Sequence, residues 1–236
     1  MKIEIWSDVV CPFCFIGKRK LERALEKFPN KNEVEIEWKS FQLNPDEKSN
    51  PRISSLEHLA NSKGWTMEQV RQITSQVVEM GLEQGIKFDF ENTVVANTHR
   101  AHRLLHFAKE NGKGGEMKER LLKAYFVDGL NVDDPDILEK LVLEIGLKKE
   151  GINDLFKSER YSEAVEQDIY ESRLIGVRGV PFFVFDRKYA ISGAQPDEVF
   201  EGTLEKSWLE YSIDKSSITI QSNESGNSCD IDQENC

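Results

Sequence analysis

Alternation with a period of two marks both ends of this chain and is missing from its middle, and that interruption limits the folds open to it. Residues 2–7 alternate, with Ile3, Ile5 and Ser7 on one side and Lys2, Glu4 and Trp6 on the other, as a strand does. From about Cys14 to Phe28 apolar residues recur every three or four positions, through Phe15, Leu21, Ala24, Leu25 and Phe28, and Pro29-Asn30 stops the helix this implies. Residues 33–43 alternate again, with Val34, Ile36, Trp38 and Ser40 opposite Glu33, Glu35, Glu37 and Lys39. Strand, helix, strand over that length predicts a βαβ unit with parallel strands. From about Ser54 to Ile175 only helical periodicity remains, with a capping-box pattern at Thr66-Met67-Glu68-Gln69 and an Asp134-Pro135 helix start. Helices are expected over 97–111, 116–127, 134–146 and 159–175.

Strands return at Pro181 to Phe185, apolar enough to be buried on both faces, and at Tyr189 to Ser192. Asp186-Arg187-Lys188 joins them as a hairpin, and a helix follows from Pro196 to about Trp208. The order predicts an α/β fold, a mixed four-stranded sheet with flanking helices, carrying a large all-helical insertion. Residues 1–53 and 176–211 form the expected core, 54–175 an insertion long enough to bury a core of its own, and 212–236 a polar acidic tail. Trp65 and the series Met67, Val70, Ile73, Val77 and Met80 have helical spacing and read as core.

Charge and cysteine usage narrow the function. Lys and Arg number 31 against 42 Asp and Glu, a formal charge of −11, so a polyanion such as nucleic acid is not expected as the main partner. No apolar run approaches the ~20 residues of a membrane span, and no export signal precedes the first strand, which points to the cytosol. Four cysteines fall in two pairs, Cys11/Cys14 and Cys229/Cys236, one near each end. In a reducing compartment close pairs point to redox chemistry or metal binding before structural cross-linking.

Cys11-Pro12-Phe13-Cys14 sits where a strand hands over to a helix. The first turn of a helix has unpaired N–H groups and the positive end of the dipole, which favour a thiolate on Cys11, and Cys14 lies one turn along, within reach of a disulfide. Pro12 suits the first helical turn. A zinc site would need a second half, and the other cysteines lie apart in the polar tail.

These residues resemble a known family. Ser7-Asp8-Val9-Val10-Cys11-Pro12-Phe13-Cys14-Phe15-Ile16-Gly17, Asn97-Thr98-His99-Arg100-Ala101-His102-Arg103-Leu104, Gly179-Val180-Pro181-Phe182-Phe183-Val184 and Ser192-Gly193-Ala194-Gln195 are similar to the DsbA-like branch of the thioredoxin superfamily, and within it to FrnE-type proteins. The resemblance spans about residues 1–210. It implies a thioredoxin-like fold with a helical insertion and thiol–disulfide oxidoreductase or isomerase activity, with Cys11 and Cys14 catalytic. It also implies a cis Val180-Pro181 bond beside the cysteines, so that Val180 pairs strand-like with an extended substrate while Phe13 contacts it. No metal or organic cofactor is expected. The implied partners are protein or small thiol and disulfide substrates, with glutathione or a thioredoxin-type reductant.

Two other functions share this fold or groove. Hydroxychromene-carboxylate isomerases and kappa-class glutathione transferases commonly have Ser in place of the first cysteine, whereas both cysteines are present here. A chaperone-like binding module would use the groove without turnover. His99, His102 and His106 share one helix face, expected to be a basic polar face or one bordering the active site; Arg103 within it argues against a metal. Cys229 and Cys236 are a candidate second redox pair, a relay on a flexible arm.

Overall fold

A computed structural model describes residues 1–216. The elements run β1 (Lys2–Ser7), α1 (Pro12–Lys27), β2 (Glu35–Ser40), β3 (Asn50–Ser54), α2 (Ser55–Lys63), α3 (Met67–Leu82), β4 (Val94–Val95), α4 (His99–Glu110), α5 (Gly114–Phe126), α6 (Pro135–Glu144), α7 (Ile152–Lys157), α8 (Ser162–Leu174), β5 (Phe182–Phe185), β6 (Tyr189–Ser192) and α9 (Asp197–Ser216). The main sheet has the order β2-β1-β5-β6. β1 and β2 are parallel with Ile5 opposite Trp38, β1 and β5 antiparallel with Ile5 opposite Phe183, and β5 and β6 antiparallel with Phe183 opposite Ile191. The mixed four-stranded sheet expected from the chain order is therefore present, and the insertion leaves after β2 and rejoins before β5.

β1 departs from its alternating pattern. Glu4 and Trp6, placed on the polar side by their periodicity, are as buried as Ile3 and Ile5, because β1 is central and both of its faces are covered. Glu4 is matched by Arg187 of the β5–β6 turn, and the Trp6 indole N–H donates to the Asp168 carbonyl at 2.8 Å. The turn itself is tight, with Asp186 and Arg187 both at positive φ (49° and 55°), the backbone twist a short hairpin requires.

Two elements escaped the periodicity. β3, at the boundary expected near residue 53, and β4, inside the segment expected to be wholly helical, form a separate two-stranded ribbon, and two residues of β4 are too few to alternate visibly. The break expected at residue 212 falls inside α9, which continues to Ser216, where Lys188 reaches Asp214. The Thr66 capping box is formed, with Gln69 N–H donating to the Thr66 hydroxyl at 3.2 Å and Thr66 N–H to the Gln69 side chain at 2.9 Å.

One apolar cluster runs across the sequence boundaries at 53/54 and 175/176, joining Ile3, Ile5, Phe15 and Phe183 to Leu104, Leu122 and Phe126. Phe15 meets Phe88 edge-on at 6.1 Å, and Phe88 meets Phe126 at 5.2 Å, so an aromatic chain carries α1 into the helical block. A smaller cluster, Leu56, Ala60 and Val70, holds α2 to α3. Val77 is buried as expected, but Ile73 is 42% exposed and Trp65 39% exposed, because the outer side of this helix pair lies beyond the main cluster.

The end of α1 nearest the cysteines packs tightly. A Cβ on Gly17 would lie 3.0 Å from both the Phe183 ring and Pro181 Cγ. Gly17→Val is therefore expected to lower stability by about 1–3 kcal/mol, the usual cost of overpacking. Urea unfolding measures it, and an unchanged midpoint would contradict this close approach.

Candidate active site

The strand-to-helix junction is built around Asp8, one residue past β1. Its carboxylate is buried and accepts the N–H of Val9 at 2.7 Å and of Leu43 at 2.8 Å. His102 Nε2 pairs with it at 3.2 Å, and among the described residues His102 Nδ1 has no hydrogen-bond partner. Burial pushes His102 below its ordinary value, against the pull of Asp8. Burial alone would raise Asp8, but the His102 hydrogen bond, followed by His102 charge and the Leu43 and Thr98 donors, outweighs it and holds the carboxyl low.

Three residues later the chain enters α1. Cys11 is the N-cap, Pro12 the first helical residue, and Cys14 N–H donates to the Cys11 carbonyl at 3.0 Å. Both cysteines are free thiols, Cys11 4% and Cys14 1% exposed, while Phe13 between them is 40% exposed. The Cys11 thiol lies 3.5 Å from the Val180 carbonyl, the Val180-Pro181 bond is cis, and Gly193 N–H holds the Pro181 carbonyl at 2.8 Å. Residues separated by 169 positions in sequence thus meet at one sulfur.

The charge on the pair differs from the sequence expectation. Helix-start chemistry predicts a lowered Cys11, yet its hydrogen bond to Cys14, with burial behind it, pushes the Cys11 thiol well up. Burial also opposes ionisation of Cys14, but the hydrogen bond from Cys11 and the Lys118 ammonium overcome it and hold Cys14 below its ordinary value. The two thiols are coupled through that hydrogen bond, so burial and the Cys11–Cys14 contact oppose a second ionisation of the pair.

Periodicity alone did not single out Lys118. It is fully buried on α5, although Leu121, Leu122 and Tyr125 stand three, four and seven residues on, which places position 118 on the apolar face. That register was the available signal. The three histidines do not form a basic polar face. His102 is fully buried against Asp8, and His106, only partly exposed, reaches Asp168 at 3.0 Å. The face reaches Asp8, three residues before Cys11, through His102, and the carboxylates that meet it come from other elements. Arg103 is likewise buried, donating from Nε to the Arg160 carbonyl at 2.9 Å.

Beside the cysteines lies a cavity of about 570 Å³, lined by Val10, Pro12 and Phe13 on one side and by Leu59, Ile73 and Phe90 of the helical block on the other. Glu47 and His58, 3.0 Å apart, add polar groups to its wall. Cys229 and Cys236 lie outside the described residues.

Comparison with known proteins follows this geometry. Residues 2–205 match the model of the DsbA-like thioredoxin domain. The chain belongs to that family. The Bacillus subtilis (strain 168) protein YwbO is 30% identical over 206 residues, covering 86% of this chain and 94% of its own. The crystal structure of a probable DsbA oxidoreductase from Streptomyces coelicolor superposes with a TM-score of 0.83 at 32% identity, covering 98% of this chain and 97% of that one. The cytosolic disulfide reductase DsbM from Pseudomonas aeruginosa, solved with GSH, shares the fold at a TM-score of 0.62 and 18% identity over 89% of this chain and all of its own. Among the described residues of this DsbA-like chain, no helix is long and apolar enough to cross a membrane.

The depressed Asp8 value has a pH signature. Its stabilisation is complete above the ordinary Asp range near ~4 and is lost as pH falls through the lower folded-state value. Asp8→Asn should cost about 1–3 kcal/mol at neutral pH, since a buried acceptor oxygen is lost. The gap between variant and wild type should narrow in acid; chemical unfolding at both pH values checks this, and a constant gap would mean that the carboxyl is uncharged.

Proposed function

We propose that this chain is a cytosolic, FrnE-type thiol–disulfide oxidoreductase and isomerase that exchanges disulfides with protein substrates and small thiols at Cys11 and Cys14. The observation that carries the reading is the seat of Cys11. It caps α1, its sulfur faces Val180, and its neighbours Val10 and Pro12 line the cavity.

In the reducing direction the proton of Cys11 passes to Cys14. The Cys11 thiolate attacks one sulfur of the substrate disulfide and expels the other as a thiolate. Cys14 then gives up its proton and attacks the Cys11 sulfur of the mixed disulfide, releasing the second substrate sulfur. Two electrons leave the cysteine pair, which ends as a disulfide, and the two substrate thiolates take the proton released by Cys14 and one from solvent to become thiols. The oxidising direction is the reverse, opened by a substrate thiolate attacking Cys11.

Val180 and Pro181 form the proposed substrate rest, with Val180 offering main-chain groups to an extended segment and Phe13 its exposed ring. The cavity has the size and mostly apolar wall of a small-ligand site, which supports glutathione as a partner. DsbM, a cytosolic protein of this fold solved with GSH, gives both glutathione and the compartment a precedent. Two cysteines within one helical turn favour dithiol exchange over the isomerase or transferase reading, which needs only one reactive group.

Reduction of insulin by dithiothreitol should be accelerated by the wild type, and Cys11→Ser should return it to the uncatalysed rate. Cys14→Ala should accumulate mixed disulfides with client proteins on a non-reducing gel, because nothing resolves them. Turnover surviving in Cys11→Ser would exclude the mechanism; client binding without adducts or redox rate would favour the chaperone-like module.

A further inference from the structure

Neither the fold nor the exchange step explains Lys118. A fully buried lysine is rare, and here the burial is complete. Lys18, also buried, is matched by Glu22 and Glu119. Lys118 has no such match among the described residues. Its contacts there are the Ser7 carbonyl, at a marginal 3.4 Å, and the face of Trp38, whose ring centre lies 5.5 Å from Nζ. Burial pushes Lys118 below its ordinary value; the groups that favour its charge are Cys14 first, then Asp8, then Cys11, with Lys18 opposing. Both Asp8 oxygens are engaged by Val9 and Leu43 N–H groups and by His102, so Asp8 is matched at short range by other donors. The group that acts most strongly on Lys118 is the Cys14 sulfur.

We propose that Lys118 is the counter-cation of the Cys11/Cys14 pair, a positioning residue of the helical block that favours the reduced, thiolate-bearing pair over the disulfide. The inference rests on the dithiol reading above and adds a direction to it. A disulfide is neutral. Forming one removes the strongest of the charges that favour the Lys118 ammonium and leaves Asp8 alone against its burial, so the lysine is less compensated or sheds its proton, either of which disfavours the oxidised state. When two glutathione thiols reduce the disulfide, two electrons pass to the cysteines and glutathione disulfide is formed. Of the two protons released by glutathione, one rests on Cys11; the other protonates a neutral Lys118 or goes to solvent. Stabilising the reduced form makes the disulfide a stronger oxidant.

Lys118→Met and Lys118→Gln keep most of the length of the side chain and remove its charge. Two quantities report on the proposal: the ultraviolet absorbance of the thiolate against pH, and the reduced fraction at fixed ratios of glutathione to glutathione disulfide. Thiolate formation should move up by about one pH unit, and the exchange equilibrium should shift about tenfold toward the disulfide. A role confined to packing would change the thermal midpoint and leave both readouts in place, and a folded variant behaving so overturns the proposal. Should neither variant fold, carbon-13 lysine NMR of the wild type replaces them. One lysine Cε signal should move between the oxidised and reduced protein, and no such signal overturns the proposal. Failure of the dithiol reading looks different: the wild type itself would form no Cys11–Cys14 disulfide in glutathione disulfide.

Discussion

The Asp8 carboxylate holds together the parts from which this site is made. It receives one N–H from the turn leaving β1, one from the segment after β2, and one from His102 on α4. A buried carboxylate is stable only when its lone pairs are occupied, so these donors cannot drift apart without leaving a charge in an apolar interior. The turn that Asp8 fixes is the one that delivers Cys11 to the head of α1. Positioning the sulfur and docking the insertion on the sheet are thereby one constraint.

A second buried carboxylate repeats the design at a distance from the cysteines. Asp168 on α8 accepts the Ser40 N–H at 2.7 Å and pairs with His106 at 3.0 Å and Lys39 at 3.2 Å. α4 thus sends one histidine to each carboxylate, one turn apart, and both carboxyls stay below their ordinary range despite burial. The helical block is therefore fastened to the sheet by these buried carboxylates, by ion pairs such as Lys109–Glu37, and by the aromatic chain through Phe15, Phe88 and Phe126. The polar contacts fix orientation, since hydrogen-bond geometry is directional, while apolar burial supplies most of the driving force.

What the sequence revealed follows the range of the interactions involved. Period-two and period-3.6 patterns are local, and they located every strand of the main sheet and the helix behind Cys11. The two-residue strand β4 has too few positions to show a period and exists only because β3 pairs with it. The last turns of α9 lack a strong apolar stripe, and their contact with Lys188 comes from another element. His102 illustrates the limit most sharply. Its own helix carries no acid beside it, so a polar face was the local answer, whereas Asp8 lies 94 positions away. Lys118 stood in register with an apolar stripe, a visible conflict between residue type and position, and such conflicts tend to mark functional or strained sites. Helix-start reasoning located the pair correctly but saw neither its burial nor the contact between the two sulfurs, which together push the Cys11 thiol up.

The arrangement separates the rigid part of the site from the adjustable part. Cys11, Cys14, Asp8, His102 and Lys118 sit inside the continuous core, where moving one group disturbs charged partners on three elements. The far wall of the cavity is different: α2 and α3 are held to each other by their own small cluster, and Ile73, which faces the cavity, is not buried there. The inner side of α3 joins the main core through Val77, while the outer side of the pair contributes few buried residues. Low local burial is the condition under which a segment opens at little free-energy cost. The charged groups beside the cysteines are thus held by the sheet and by α4–α5, while the far wall of the cavity is built by the less buried pair α2–α3.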